Sequence, residues 1–310
     1  MTNMSAKASN KDFLIEIQTE ELPPKALKRL AMSFLQEIKT RLDKLDLRYR
    51  DAKYFATPRR LAVLITKLAA KQTDTVVERK GPALTAAFDA AGNPTPACLG
   101  FAKSCGVSVT ELLEIKTNQG AWVGYQQSVI GKPIQTILPE LINQALNALP
   151  IPKKMRWSNQ TAEFVRPVHS IVMLYGRDVI EATLLGCKTD RLTKGHRFLS
   201  KRLLKITSPN QYEKILDKNF VISDFEQRKE KIRQLTLACV KDKIGEAASA
   251  VMPDDLLTEV TGLVEWPIAL CGQFDRSFLA APQEALISAM QDHQRYFPII
   301  DQHGKLLPYF

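Results

Sequence analysis

"FLIEIQTEELPPKALKRL", residues 13–30, decides how the front of the chain is read. Its first five residues form a short apolar run broken by one glutamate, which reads as a strand. Glu20 and Glu21 then precede a pair of prolines. Carboxylates suit the positive end of a helix, and Pro24 suits its first turn. Leu27, Leu30, Phe34, Leu35, Ile38, Leu42 and Leu45 recur at helical spacing and make one apolar stripe. "RRLAVLITKLA", 59–69, reads as another strand, so residues 12–70 are expected to form a strand–helix–strand unit.

Outward from this unit, residues 78–108 are rich in Gly, Pro and Ala and read as a connection with one short helix capped by Thr95. Residues 121–131 alternate like a strand. Residues 133–150 carry helical spacing, with Pro139 placed to bend the helix. From Phe164 the pattern predicts two strands around a Gly-Arg-Asp turn. Ser208-Pro209 opens a short helix, and 224–249 reads as a longer charged one. Residues 254–275 pass from helical spacing to a short strand at Pro267. Residues 282–300 read as a helix running into a strand, followed by a turn at 301–305. Three consecutive parts are expected: 1–75, 76–150 and 151–310. The first twelve residues lack a signal-peptide design and are expected to fray. The apolar end, "LLPYF", is expected to be an interior point of a longer polypeptide.

A chain of 310 residues exceeds what one core usually holds, so two domains, or one with a large insertion, are expected. The net charge is +10, and residues 151–210 hold twelve Lys/Arg against four Asp/Glu. Such a local excess is the footprint of a phosphate-binding face, and it favours acidic partners such as nucleic acid. Five scattered cysteines without a C-x-x-C pair argue against a disulfide framework or a zinc site and fit a reducing cytoplasm. Four dispersed histidines point to no metal centre. No apolar run approaches the ~20 residues of a membrane helix. There is no G-x-G-x-x-G, no phosphate loop, no G-x-S-x-G and no H-E-x-x-H, so no catalytic constellation is expected.

The runs "FLIEIQTEELPP", "TPRRLAVL", "FDAAGNPTPACLGFAKSCGV", "MRWSNQTAEFVRPVHSIV", "GHRFL", "EVTGLVEWPIALCGQFD" and "HQRYFPIIDQHGKLLPYF" follow one another in this order. With them the chain closely resembles the N-terminal part of the beta subunit of bacterial heterotetrameric glycyl-tRNA synthetase, from about residue 12 to the end. Gln18 stands where that family usually has Gly, and Ser170 where it usually has Trp. The resemblance implies a tRNA-binding, non-catalytic subunit of an α2β2 glycine–tRNA ligase in the cytoplasm. ATP and magnesium would belong to the alpha subunit, tRNA-Gly would be a partner, and this chain would carry no cofactor and meet no membrane. The resemblance further implies an α/β (α+β) fold. Its second half would be similar to the editing-type domain in the beta chain of phenylalanyl-tRNA synthetase, used as an RNA-binding scaffold. The family's later helical and anticodon-binding domains are not expected within these residues. Two alternatives stay open: hydrolysis of a mis-attached aminoacyl ester, and a purely structural platform for the alpha subunit.

Candidate RNA-binding residues follow. Positive charge is concentrated in "PKKMRWSNQTAEFVRPVH", 152–169. Lys153, Lys154, Arg156 and Arg166 are candidates for phosphate contacts, Arg by its fork and Lys as a point charge. Trp157 either stacks on an unpaired base or anchors a core. Arg59 and Arg60 head a strand, so at most one points inward; they meet phosphate or pair with Glu20 or Glu21. Gly195 permits close backbone approach before His196 and Arg197. His196 either reads a base edge or ribose hydroxyl, or is structural. His293 and Arg295 either meet RNA or stabilise a helix end.

Overall fold

Alternation along a single strand organises the larger part of the molecule. The structure is a computed structural model that describes residues 10–117, 120–159 and 161–310. The first nine residues, part of the stretch expected to fray, lie outside the described residues. Strand β1 (Lys11–Thr19) is buried along almost its whole length. Side chains on a strand point alternately to opposite faces. Phe13, Ile15 and Ile17 therefore enter one apolar cluster, while Leu14 enters a second on the other side.

β1 pairs antiparallel with Arg60–Leu68 on one flank and with Val168–Tyr175 on the other. Helix α1 (Pro24–Lys44) follows β1. The chain then returns as β2 (Asp51–Thr57) and β3 (Arg60–Leu68), a hairpin turning on Pro58 and Arg59. Cys187–Asp190 adds to Val168–Tyr175 in parallel, and short strands complete a seven-stranded sheet. The sequence reading missed β2. It is the edge strand beyond β3, and its exposed or half-exposed start carries the charges that an edge tolerates and a core strand does not.

Leu27, Leu30, Phe34, Ile38 and Leu42 of the α1 stripe, with Ala31, are buried against the odd-numbered face of β1, together with the helix Ile134–Asn147. A fully buried Leu or Phe contributes roughly 1.5–3 kcal/mol, which holds this strongly cationic helix in place. Pro24 sits in the first turn, but no acidic residue does. Glu20 and Glu21 do not serve the helix N-terminus as the sequence reading expected. The opposite face of the sheet is covered by Leu204, Ile206, Tyr212, Leu216 and Val221.

Contacts divide the chain into two units: residues up to Ala70 with Ile134–Phe310, and Lys71–Pro133. This differs from the three consecutive parts expected at 1–75, 76–150 and 151–310. The helix at 134–147 and the strand at 168–175 join the same core as β1, whatever their distance in sequence. The smaller unit is an insertion in chain order. It holds an antiparallel sheet of Thr75–Ala83, Gly120–Val129 and Leu113–Thr117, and the helix Pro96–Cys105 capped by Thr95. The stretch read as a connection therefore begins as a strand.

Farther on, the helix Phe225–Lys243 is capped by Asp224, whose side chain accepts from the Gln227 N–H at 2.9 Å. The strand expected at Pro267 does not form. Proline lacks the N–H a ladder needs, and Ile268 and Leu270 stand 75% and 86% exposed. The helix Gln283–Ser288 continues as a π-helical turn and leads to the strand Ile299–Asp301, as its pattern predicted in outline.

Candidate nucleic-acid interface

The even-numbered face of β1 grades from apolar to charged: Leu14, Glu16, Gln18 and, just past the strand, Glu20. Leu14 belongs to the core. Glu16 belongs to a sealed ionic node, and Gln18 and Glu20 line an open cleft.

The node forms because Arg60, first residue of β3, lies across from Gln18 and turns inward, only 1% exposed. Its guanidinium meets Glu265, donates to the Lys194 carbonyl at 2.8 Å, and lies 3.5 Å from Glu16. Glu16 accepts from Thr193 and from the Tyr212 hydroxyl. Arg228, fully buried, donates to the carbonyls of Ala56, Ile222 and Thr261. Burial pushes the Arg228 guanidinium down to about 10, so it remains charged at neutral pH. Burial likewise works against the charge on Arg60, but Glu265 and Glu16 outweigh it and hold that group above its ordinary value. Two guanidinium groups thus face two carboxylates out of water. Arg60 has no surface to offer a phosphate, and its candidacy as an RNA ligand is corrected: it is a structural residue.

Arg59, one residue earlier, lies in the hairpin turn and faces the cleft. Nη1 is 3.3 Å from Glu20 Oε2 and has no hydrogen-bond partner among the described residues. Glu20 also meets His169 Nε2 at 2.8 Å and Arg197 Nη1 at 3.9 Å. Burial raises the Glu20 carboxyl, but the hydrogen bond to His169 and the charges of Arg59, His169 and Arg197 bring it below its ordinary value. The cleft measures about 380 Å³ and is completed by Lys194, Gly195, Ser200 and Lys201. Among the described residues, no ion pair engages Lys194 or Lys201, and both are exposed. Gln18 and Ser170, the two positions at which the resemblance departs, are cross-strand partners in this wall. Ser170 Oγ donates to Gln18 Oε1 at 2.9 Å.

The turn after Gly195 forms the lip. A Cβ on Gly195 would lie 2.7 Å from Asn219 Cβ, so only glycine lets the lip approach this closely. His196 Nδ1 accepts from the backbone N–H groups of Phe198 and Leu199, both at 3.2 Å. That histidine shapes the lip, leaving Nε2 as the nitrogen that carries the ring proton. Arg166 lines a neighbouring hollow with Glu20 and Arg197, but its guanidinium donates to the carbonyls of Glu21 and Val165.

The other candidates lie elsewhere. Lys153, Lys154 and Arg156 are exposed, and Lys154 shares a hollow with Asn143 and Asn147. Arg156 pairs with Glu163 at 3.0 Å, while Lys153 and Lys154 have no ion pair among the described residues. Trp157 is half-buried and packs against the main apolar cluster, the placement that its core-anchor reading expects. His293 is exposed beside an apolar hollow. Arg295 pairs with Glu259 at 2.8 Å and donates to the Gln291 and Asp292 carbonyls at the end of its helix. Sequence reasoning therefore named Arg59 and Arg197 of the cleft but missed Lys194, Lys201 and His169, which also line it. The local density of Lys and Arg around Gly195 was the signal available. Among the described residues, no cluster of three or more metal-ligating side chains occurs and no helix is long and apolar enough to cross a membrane.

The class defined by this fold and site is a mixed α/β protein with a cationic cleft at the end of its central strand. Residues 13–310 match the family described as glycyl-tRNA synthetase beta subunit. The chain is 48% identical over 303 residues to the glycine–tRNA ligase beta subunit of Hahella chejuensis, covering 97% of this chain and 43% of that relative. It is 45% identical over 295 residues to the namesake in Pseudoalteromonas atlantica, covering 95% and 42%, and 46% identical over 302 residues to that of Pseudomonas aeruginosa, covering 97% and 43%. The chain belongs to the glycyl-tRNA synthetase beta subunit family, whose members are subunits of an aminoacyl-tRNA synthetase. It spans less than half the length of these relatives.

Proposed function

We propose that this chain is a tRNA-holding, non-catalytic part of a cytoplasmic glycine–tRNA ligase. It works beside an alpha subunit that binds ATP and magnesium and attaches glycine, the two forming an α2β2 assembly. The observation that carries this reading is the surplus of exposed cations without an ion pair among the described residues, Lys153, Lys154, Lys194 and Lys201, in a chain of this family. Each phosphate contact releases counterions, so binding weakens steeply with salt. Residues 151–310 would serve as an editing-type domain used for holding RNA rather than for hydrolysis. Glycine, having no side chain, leaves a ligase little need to edit larger amino acids that its pocket excludes by size.

The test is a salt titration of tRNA-Gly binding by the wild type and by Lys153→Ala/Lys154→Ala/Arg156→Ala. The triple variant is expected to lose roughly 0.7–0.9 of slope in log K against log salt per phosphate contact removed. Identical slopes sink the role of that patch. Aminoacyl-ester hydrolysis has one observation in its favour, the Glu20–His169 pair in a cleft that also holds Ser200. Release of alanine from alanyl-tRNA-Gly by this chain, abolished by His169→Gln, would shift the assignment to that activity.

A further inference from the structure

Phe198 is the least explained side chain near the cleft. It is 76% exposed, on the turn between Arg197 and Ser200, both of which line the cleft. Its ring centroid lies 5.8 Å from the Arg197 guanidinium carbon and 6.1 Å from the His196 ring. Leaving a phenylalanine ring in water forgoes the stabilisation of burial, yet the polar lip places it beside an unneutralised cationic hollow. Lys194 and Lys201 are without ion pairs among the described residues, and Arg59 holds a buried nitrogen without a hydrogen bond at the cleft wall. One carboxylate, Glu20, faces Arg59, Lys194, Arg197 and Lys201, so the cleft carries excess positive charge even with His169 neutral.

A flat ring with a cationic pocket next to it is the arrangement that holds an unpaired nucleotide: the base lies on the ring, and the phosphate sits among the cations. A duplex offers no splayed base and gains little from such a ring.

We propose that the cleft between the end of β1 and the 194–201 turn is a subsite for one unpaired nucleotide of an RNA strand, its base stacked on Phe198 and its phosphate met by Lys194, Arg197 and Lys201. The proposal rests on the RNA-binding reading above and specifies a place for single-stranded RNA distinct from the Lys153/Lys154 patch. Glu20 holds Arg59 and His169, while Lys194 and Lys201, exposed and without an ion pair among the described residues, take the incoming charge.

The test uses the intact chain and two labelled RNAs, an acceptor-stem hairpin with a four-nucleotide 3′ overhang and the same hairpin blunt-ended, followed by fluorescence anisotropy. The wild type is expected to prefer the overhang. Phe198→Ala is expected to lose roughly five- to a hundredfold in affinity for the overhang RNA, the range for one base stack, and to bind the blunt RNA as the wild type does. Phe198→Trp is expected to restore the preference. Arg197→Ala/Lys201→Ala is expected to reduce the preference and the salt slope together. Lys153→Ala/Lys154→Ala is expected to weaken both RNAs equally. If Phe198→Ala binds the overhang RNA with wild-type affinity, the subsite is overturned while the general reading stands. If the wild type binds neither RNA, both fail together.

Discussion

Two charged regions, one around Glu16 within β1 and one around Glu20 just past its end, lie four residues apart in sequence, and they are built to opposite plans. Around Glu16 the node sets Arg60 and Arg228 against Glu16 and Glu265, with the Thr193 and Tyr212 hydroxyls donating to Glu16 and backbone carbonyls accepting from both guanidinium groups. It is neutral as a whole and sealed. Around Glu20 the cleft sets one carboxylate against two arginines, a histidine and two lysines, and it is open. A buried charge must be matched by its own neighbours because water cannot reach it. An exposed one need not be, and a surplus there is available to a ligand. Neighbouring arginines in "TPRRL" are separated by this rule: Arg60 holds the fold together, and Arg59 faces the solvent cleft.

The strongest way to break this contrast is Arg60→Met. It leaves Glu16 and Glu265 buried without their partner, and a loss of about 3–5 kcal/mol is expected in urea unfolding. An unchanged midpoint would mean that the node is not structural. Next is Gly195→Ala, whose new methyl must displace both Asn219 and Ser200. A loss of roughly 1–3 kcal/mol is expected from overpacking, together with weaker RNA binding because the lip moves. A variant that is stable and binds as before would show that the lip is not pinned there.

A half-buried cluster on β2 stands between the two extremes. Tyr54 donates to Glu226, and Lys53 bridges Glu213 and Asp224. Burial, then the Glu226 and Asp224 charges, push the Tyr54 phenol up to about 12. Its folded value lies above the unfolded value of 10.0. Its contribution to stability is therefore complete below pH 10 and is lost as pH rises toward about 12. Burial opposes the Lys53 charge, but Asp224 and Glu213 outweigh this and raise its value as well, so its contribution fades in the same direction. Tyr54→Phe is expected to shallow the alkaline fall in thermal midpoint. Parallel curves for variant and wild type would remove Tyr54 from the cluster. The smallest effect belongs to Arg156→Ala. The Arg156–Glu163 pair is 65% and 45% exposed, so stability is expected to stay within error while RNA binding weakens slightly.

Legibility followed periodicity. β1, α1 and the helix at 134–147 stood out because their apolar spacing matches what their faces bury. β2 was hidden by charges on an edge, and the stretch after Pro267 was misread because apolar residues there do not enter a strand. Arg166 and Arg295 were candidates for RNA contact, Arg295 also for a helix end, and in the fold each directs donors to backbone carbonyls. Composition cannot distinguish a guanidinium that closes a loop from one that awaits a ligand.

The order of residues alone determined the family, the alternating character of the central strand, the amphipathic helix behind it and the concentration of positive charge in the middle of the chain. Those properties are local sums over neighbours in sequence. The tertiary structure decided which cations are free, because that depends on carbonyls and carboxylates brought from far along the chain. Glu265 reaches Arg60, and Glu20 gathers Arg59, His169 and Arg197. Whether a charge is neutralised is a matter of distances of a few ångströms and access to water, and folding sets both.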